Sequence, residues 1–291
     1  MSGGFSVGFW GVRGSTPCEG SRYQRYGGHS SCVTLEAEGQ SPVILDLGTG
    51  LRPYGESMNA ASDAFHGSVL LTHLHWDHVQ GLPFFTPLHC EGASLDVFGP
   101  RQEAGLSDVF TELMRPPFFP IRPEDLAGDV RFHDTGDDDF PLGQAKVRSR
   151  WVRHVGPTLG FRIDWNGASV AYIPDHGPGC CPEDPDDYVP HEVLELCDGV
   201  DLLVHDAQHT ASEWGPKRHW GHCTADYAVH VARESGARRL ALFHHDPGHG
   251  DDAIDVIKRE ANDFSARIGG PEVVAAYEGM CVTLDPHAPR S

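Results

Sequence analysis

The order of secondary-structure elements predicts an α/β fold in which two mixed β-sheets pack face to face, with helices on both outer surfaces. The 291-residue chain begins with short β-rich segments, continues with alternating strands and helices, and then repeats this order. Two similar halves of this kind bury their sheets against each other as an αββα sandwich. Hydrophobic residues make up 39% of the chain and charged residues 22%, as in ordinary globular proteins. No clear linker interrupts the pattern, so we expect a single domain over residues 1–291.

Apolar and β-branched runs, separated by glycine and proline, predict the strands of the first half. We expect these strands at Phe5–Val12, Ser31–Glu36, Val43–Leu47, Ser68–Thr72 and Ser94–Phe98. Residues 102–128 are predicted to be helical and then irregular, and the proline-rich segment Pro116–Pro123 is predicted to form a lid or loop.

The second half repeats the change from strands to an alternating pattern. Strands are predicted at Ala145–Val152, Thr158–Asp164 and Ser169–Ile173, followed by a loop over His176–Pro190. Helices are then predicted at Glu192–Cys197, His222–Ser235 and Asp252–Ala266, between strands at Asp201–Val204, Arg239–Phe243 and Val273–Ala276. Helices that alternate with strands in this way are typical of parallel sheet segments.

The charge balance narrows the possible functions. Acidic residues number 42 against 22 basic ones, which gives a formal charge of −20. A surface this negative repels nucleic-acid backbones and anionic lipid, so we expect no large nucleic-acid partner. A small anionic substrate stays compatible if a metal offsets its charge. No stretch approaches about 18 apolar residues, so no membrane span is predicted.

The cysteines and the N-terminus bear on the cellular location. The eight cysteines include no C-x-x-C pair, which argues against a structural zinc ribbon. The first residues show no signal-peptide pattern, and we therefore expect reduced thiols and a cytoplasmic location. Cys180 and Cys181 are interpreted as a loop pair, with a redox or additional metal site as the alternative.

A histidine-rich motif directly follows a predicted buried strand. The sequence Thr-His-Leu-His-Trp-Asp-His occupies positions 72–78. In an extended segment, residues two apart point to the same side, so His73 and His75 can bind one cation. Asp77 and His78 follow at the turn into the next helix and point toward a second cation. Because imidazole and carboxylate ligands suit zinc, the motif predicts a metal site.

This H-x-H-x-D-H motif resembles the signature of the metallo-β-lactamase fold hydrolases, whose later ligands come from the ends of successive strands. By that resemblance, His154 matches the third histidine, Asp175 the aspartate that bridges both metals, and His244 the last histidine. His245 competes with His244, although alternation from the apolar residues before it favours His244. The matching segments run from residue 11 to residue 246.

The resemblance implies a complete ligand set for two metal ions. One ion is held by His73, His75 and His154, the other by Asp77, His78 and His244, and Asp175 joins both sets. The ligand types imply two zinc ions, with Mn²⁺ or Fe²⁺ as alternatives at the second position. Asp77 is counted among the catalytic residues as well as among the ligands.

Further segments resemble the phosphodiesterase branch of this family, which includes the tRNA 3′-end nuclease RNase Z and cyclic-phosphate hydrolases. These segments are Gly11–Pro17 with Arg25–Cys32, Val204–Gln208 and Gly221–Ala225. By this resemblance, His222 is a general acid at the start of a helix, held by Asp206, and protonates the departing alkoxide. Arg13 is a further candidate for a phosphate contact.

The resemblance therefore implies a dinuclear zinc phosphodiesterase, in which metal-bound hydroxide attacks a small phosphodiester of the cyclic-nucleotide or cyclic-phosphate type. RNase Z activity itself is not expected, because the 21 positions from His154 to Asp175 leave no room for a tRNA-binding arm. Two alternatives stay open: a lactone or thioester hydrolase on the same metals, and a non-catalytic metal-binding regulatory protein. The many apolar strand faces and the family resemblance also favour a homodimer.

Overall fold

Two β-sheets of seven strands each form the centre of the computed structural model, which describes residues 3–58, 64–180, 185 and 187–286. The first sheet contains β1 (Phe5–Gly11), β2 (Cys32–Glu36), β3 (Val43–Leu45), β4 (His66–Leu70), β5 (Ser94–Pro100), β6 (Asp129–Thr135) and, from the C-terminal region, β14 (Cys281–Leu284). The second contains β7 (Asp138–Leu142), β8 (Ala145–Trp151), β9 (Leu159–Trp165), β10 (Ala168–Ile173), β11 (Leu202–Asp206), β12 (Arg239–Phe243) and β13 (Glu272–Ala275). The helices are α1 (Leu51–Ser57), α2 (Trp76–Val79), α3 (Leu106–Leu113), α4 (His191–Cys197), α5 (Ala211–Lys217), α6 (Ala225–Glu234) and α7 (Asp251–Ile268).

The two sheets have mirrored strand orders. The first runs β14-β1-β2-β3-β4-β5-β6 and the second β13-β12-β11-β10-β9-β8-β7. In the first sheet, β14, β1, β2 and β3 pair antiparallel, whereas β3, β4, β5 and β6 pair parallel. In the second, β10 to β13 pair parallel and β7 to β10 antiparallel. The predicted sandwich of two mixed sheets is therefore confirmed.

Three apolar clusters hold these layers together. The cluster between the sheets includes Phe9 of β1, Phe161 of β9 and Tyr172 of β10, all fully buried. A second cluster packs α4, α6 and α7 on the outer face of the second sheet, and a third packs α1 and α3 on the first. Burial of an apolar side chain of this size is worth about 1.5–3 kcal/mol, so the inter-sheet contact is the main source of cohesion.

Three strands were not predicted from the sequence, namely Asp129–Thr135, Asp138–Leu142 and Cys281–Leu284, and all three are edge strands. Asp129–Thr135 is largely exposed and charged, and Asp138–Leu142 carries Pro141. Proline and charged side chains are tolerated at sheet edges, where they also prevent edge-to-edge pairing, and they remove the alternating pattern that marks a half-buried strand. The predicted helix within 102–128 is shorter than expected and covers only Leu106–Leu113. The segment Pro116–Pro123 is irregular, as predicted.

Among the described residues, no helix is long and apolar enough to cross a bilayer. The predicted pair Cys180–Cys181 lies outside the residues whose side chains are described. The remaining six cysteines are free thiols, and three of them, Cys32, Cys197 and Cys223, are buried.

Candidate metal centre and active site

The predicted site residues follow the carboxyl ends of strands in both sheets. The motif His73–His78 follows β4, His154 follows β8, Asp175 follows β10 and His244 follows β12. Parallel strands bring their carboxyl ends to one edge of a sheet, and ligands bind in the crevice there. The structure brings all seven predicted ligand residues together at this edge.

One group of side chains consists of His73, His75, His154 and Asp175, whose ligand atoms all lie within 4.8 Å of one another. His154 Nε2 is 3.3 Å from His75 Nδ1. Asp175 Oδ2 lies 3.6 Å from Nε2 of both His73 and His154. Three imidazoles and one carboxylate at this spacing form a donor set that zinc accepts.

Asp77, His78 and His244 form a second such group on the other side of Asp175. Asp77 Oδ2 is 3.1 Å from His78 Nε2 and 3.0 Å from His244 Nε2. The second carboxylate oxygen of Asp175, Oδ1, is 3.2 Å from His78 Nε2 and 3.3 Å from His244 Nε2. One oxygen of Asp175 thus faces each group, which is the arrangement required of a bridging carboxylate.

The unpaired atoms of these groups fit bound cations. His73 Nε2 and Asp175 Oδ1 are buried and have no hydrogen-bond partner among the described residues. Burial lowers the pKa of His73 well below its usual value, and it lowers the pKa of His154 to about 4. Neutral imidazoles with free lone pairs are competent metal ligands. An unsatisfied buried polar group costs about 1–3 kcal/mol of folding free energy. A divalent cation in each group would bind these unpaired atoms and remove that cost.

In three of the ligand imidazoles, the nitrogen that turns away from the centre is also bonded. His78 Nδ1 donates to Asp46 Oδ2 at 2.7 Å, His154 Nδ1 donates to the Gly221 carbonyl at 2.8 Å, and His244 Nδ1 donates to Gln208 Oε1 at 2.8 Å. Such partners fix the tautomer that leaves Nε2 as a lone pair toward a metal. They were not predicted from the sequence, although Gln208 lies within the segment that resembles RNase Z.

Asp46, Gly221 and Gln208, which accept these bonds, form a supporting layer behind the ligand imidazoles. Asp46 accepts the largest number of hydrogen bonds among them. The residue is fully buried, and its carboxylate accepts hydrogen bonds from the Thr72 amide at 2.7 Å and the Tyr172 hydroxyl at 2.9 Å, besides the one from His78. Its backbone φ is 61°, and that of His244 is 58°. Side chains other than glycine rarely adopt this left-handed region, and such strain is concentrated at functional sites.

His222 and Asp206 form a dyad beside the two groups. His222 Nδ1 donates to Asp206 Oδ2 at 2.7 Å, and the His222 ring stacks on His244 with centroids 5.0 Å apart. Burial lowers the pKa of His222, but Asp206 outweighs this effect and raises it. Conversely, His222 holds the pKa of Asp206 below its usual value despite the burial of the carboxylate.

The predicted position of His222 at the start of a helix is wrong. The helix begins at Ala225, and Thr224 is its N-cap, with Oγ1 accepting a hydrogen bond from the Tyr227 amide. His222 therefore precedes the cap in an extended segment, and the raised pKa of its ring comes from Asp206 rather than from the helix dipole. His222 also lies with Asp175 and His244 in a third group of closely spaced ligand atoms.

The structure separates His244 from its competitor His245. His245 points away from the centre and donates from Nε2 to the Ala276 carbonyl at 2.9 Å, which identifies it as a packing residue. Arg13 is likewise buried away from the groups, because Nε donates to the Gly27 carbonyl at 2.8 Å and Nη1 to the His249 carbonyl at 2.6 Å. The expected contact of Arg13 with a substrate phosphate is therefore replaced by a structural role.

Two glycines allow the close approach of backbone to the ligand rings. At Gly221, φ is +91°, and a Cβ would lie 2.4 Å from His154 Nδ1. At Gly14, a Cβ would lie 2.4 Å from His244 Nδ1. Both distances are far below van der Waals contact, so only glycine fits at either position without displacing a ring.

Comparison with known proteins identifies the family. The family model described as a beta-lactamase superfamily domain matches residues 61–245, more than half of the chain. The chain therefore belongs to the beta-lactamase superfamily, and it is an enzyme of the hydrolase class with the metallo-β-lactamase fold. The His/Asp cluster at the strand ends has the composition of a divalent-metal site of this superfamily.

Similar proteins include ribonuclease Z of Lactococcus lactis subsp. lactis, which is 27% identical over 239 residues, covering 66% of this chain and 75% of that protein. An uncharacterized protein of Mycobacterium tuberculosis is 29% identical over 245 residues, covering 79% of this chain and 80% of the relative.

Solved structures share the fold. The metallo-beta-lactamase fold protein YhfI from Bacillus subtilis has a TM-score of 0.72 at 17% identity, covering 97% of this chain and 99% of that one. A diphosphatase from the PhnP family has a TM-score of 0.67 at 19% identity, covering 97% and 100%. Zinc-bound PqqB from Methylobacterium extorquens has a TM-score of 0.66 at 16% identity, covering 96% and 100%.

Proposed function

We propose that the chain, folded as one domain over residues 1–291, is a dinuclear zinc phosphodiesterase that hydrolyses small phosphodiesters. The observation that carries this proposal is the meeting of two ligand groups at the two oxygens of Asp175, with the His222–Asp206 dyad beside them. During cleavage of a phosphodiester, negative charge builds up on the attacked phosphoryl group and on the departing oxygen. A pair of cations can neutralise the first charge, and a protonated imidazole can neutralise the second.

The ligand assignment follows the two groups. His73, His75 and His154 would hold one zinc ion, Asp77, His78 and His244 the other, and Asp175 would join both; Mn²⁺ or Fe²⁺ is the alternative in the second group. When bound, the two ions supply neutralisation of phosphate charge and a water activated for attack on phosphorus. Asp77 accepts a hydrogen bond from the Ser15 amide at 2.7 Å, which holds its carboxylate toward the centre.

His222 is the proposed general acid. Since Asp206 engages Nδ1, proton transfer to a leaving oxygen is left to Nε2 of the same ring. Asp206 is itself held by the amides of His176 at 3.1 Å and Gln208 at 2.9 Å, so the orientation of the dyad is set by backbone. A thioester hydrolase has no need of such a dyad, because a thiolate departs without protonation. The geometry therefore favours phosphodiester cleavage.

The proposed substrate is small, of the cyclic-nucleotide or cyclic-phosphate type. The formal charge of −20 opposes a long polyanion such as tRNA, whereas one phosphate can be neutralised locally at the metal centre. Strands β9 and β10 occupy most of the chain between His154 and Asp175, where a tRNA-binding arm would be inserted. No large nucleic acid and no membrane are proposed as partners, and a homodimer is the proposed assembly.

Elemental analysis and a substrate panel test this function. Purified protein is expected to hold two zinc equivalents and to hydrolyse bis(4-nitrophenyl) phosphate faster than an aryl ester or a lactone at equal metal content. For a nucleoside cyclic phosphate, whose leaving group is an alkoxide, His222→Ala should lower kcat by about 10²–10⁴ with metal retained, whereas His219→Ala, which removes an exposed histidine of the same segment, should not. Turnover of bis(4-nitrophenyl) phosphate should be much less affected by His222→Ala, because nitrophenolate departs without protonation. Faster ester turnover that is insensitive to His222 would instead indicate the lactone or thioester hydrolase, and two bound metals without turnover a regulatory protein.

The dyad also predicts a pH dependence. Because Asp206 raises the pKa of His222, the ring is protonated at lower pH, and the rate should fall as the pH rises through that pKa. Asp206→Asn removes the carboxylate and should move this alkaline limb of kcat/KM to lower pH. If the alkaline limb of kcat/KM stays at the same pH in Asp206→Asn, a residue other than His222 causes it.

A further inference from the structure

Exposed apolar side chains are direct sequence neighbours of residues at the metal centre. Among the described residues, eight large hydrophobic side chains are exposed, and three of them adjoin site residues in the sequence. Trp76 is 63% exposed and lies between His75 and Asp77, while Val155 follows His154 directly. Trp220 is 49% exposed and precedes Gly221. Of these three, Trp76 also lines a groove.

The groove lies beside the motif that carries the proposed metal ligands, because Trp76, between His75 and Asp77, forms part of its wall. It has a volume of about 310 Å³ and is lined by Trp76, Val109, Leu113 and Phe118, with Asp108 and Glu112 also on its walls. Helix α3 forms one wall, and the irregular segment after it contributes Phe118, which is 71% exposed. An apolar concavity of this size accommodates one ring system.

The chemistry of the groove selects its occupant. Asp108 and Glu112 repel an anionic group, so the phosphate of a substrate is directed to the metal centre and an uncharged group to the groove. The aromatic rings of Trp76 and Phe118 favour a flat ring over a short alkyl chain, because stacked or edge-to-face ring contacts add to the gain from area burial.

We propose that this groove is a specificity subsite that binds an uncharged aromatic ring of the substrate, such as a nucleobase or an aryl ester group, while the phosphodiester lies on the metal centre. The inference rests on the proposed function, because it assigns the two ends of one substrate. It restricts the substrate class to phosphodiesters with an aromatic substituent.

Binding of two simple phosphonates tests the subsite without turnover. Isothermal titration of zinc-loaded protein should give a dissociation constant for phenylphosphonate at least tenfold below that for methylphosphonate. Trp76→Ala should reduce this ratio to about two or less, and Phe118→Ala should reduce it partly. Both side chains are mostly exposed, so their truncation leaves the core intact. Tyr277→Ala, which truncates an exposed aromatic side chain that does not line the groove, should keep the wild-type ratio.

Turnover gives a second measurement. In Trp76→Ala, KM for bis(4-nitrophenyl) phosphate should rise about tenfold more than KM for methyl 4-nitrophenyl phosphate, because only the first substrate has an aromatic ring on the ester group that stays on phosphorus. Equal changes for both substrates, or an unchanged phosphonate ratio, would overturn the subsite while leaving the phosphodiesterase in place. Absence of turnover with a preserved phosphonate ratio would refute the proposed function and retain the aromatic groove. A dimer that dissociates in Trp76→Ala with an unchanged ratio would show instead that a second copy covers the groove.

Discussion

Replacement of Asp46 by asparagine tests whether the supporting layer controls the metal centre. Asp46 touches no atom in the two ligand groups except through His78, whose Nδ1 donates to it at 2.7 Å. The variant keeps the volume of the side chain and changes one acceptor oxygen into a donor. If the new amide nitrogen faces His78, it opposes Nδ1–H and favours the tautomer that carries the proton on Nε2. If it faces the Thr72 amide, two donors oppose each other at 2.7 Å.

The expected magnitudes follow from these contacts. Either orientation leaves at least one buried donor unsatisfied, which should lower the free energy of unfolding by about 1–3 kcal/mol. Loss of the partner that orients a ligand histidine typically weakens metal binding 10- to 100-fold. This loss corresponds to about 1.4–2.8 kcal/mol of binding free energy. Tyr172→Phe removes one donor to the same carboxylate and leaves the bond to His78, so its effect on zinc affinity should be much smaller.

Zinc competition with a chromogenic chelator measures the affinity, and denaturant unfolding of the metal-free protein measures the stability. Asp201→Asn is the matched control, because Asp201 is also buried and accepts from an amide and a hydroxyl, those of Ser169, but lies at the opposite end of the strands. Asp201→Asn should lower stability and keep zinc affinity. Wild-type zinc affinity in Asp46→Asn, together with lowered stability, would refute a role for Asp46 in orienting His78.

Two further pairs of substitutions, each a test with its control, address which histidine is a metal ligand and whether the backbone must approach a ligand ring closely. His244→Gln should lose one of two zinc equivalents by elemental analysis, whereas His245→Gln should keep both and lose only stability, since His245 bonds a backbone carbonyl. Gly221→Ala should weaken zinc binding because its Cβ would displace the His154 ring, while Gly156→Ala, with a similar φ of +93° and open space around it, isolates the backbone strain. Equal zinc affinities in the two glycine variants would show that the close contact is unimportant.

The sequence predicted the layered fold well and its edges poorly. Strands with a buried face, such as β8 and β10, carry apolar residues at a regular spacing, and the predictions for them hold within one or two residues. Strand β6 carries its charges outward at the edge of the sheet, where Asp96 and Arg131 pair across neighbouring strands. The partners that stabilise such a strand lie far away in the sequence, so a local pattern does not reveal it.

The candidate site shows the same division between local and distant information. His73, His75, Asp77 and His78 could be predicted because their spacing alone places two ligand pairs after one strand. His154, Asp175 and His244 required the family resemblance, since each is a lone residue at the end of a strand. The helix was predicted to start at His222 because the sequence pattern does not mark its first residue. In the structure Thr224 is the N-cap, so the helix begins at Ala225.

The H-x-H-x-D-H motif alone does not describe the candidate metal centre completely, because residues of the supporting layer orient the ligand imidazoles. Asp46 precedes the motif by a whole helix and strand, and Gln208 follows β11 of the second sheet, yet each bonds the outer nitrogen of a ligand imidazole. The two sheets must therefore be packed correctly before His78 and His244 can present lone pairs at 3.3 Å from each other. Packing of the sandwich therefore sets the geometry of the candidate metal centre, and we expect substitutions in the inter-sheet core to lower metal affinity although none of its side chains is a proposed ligand.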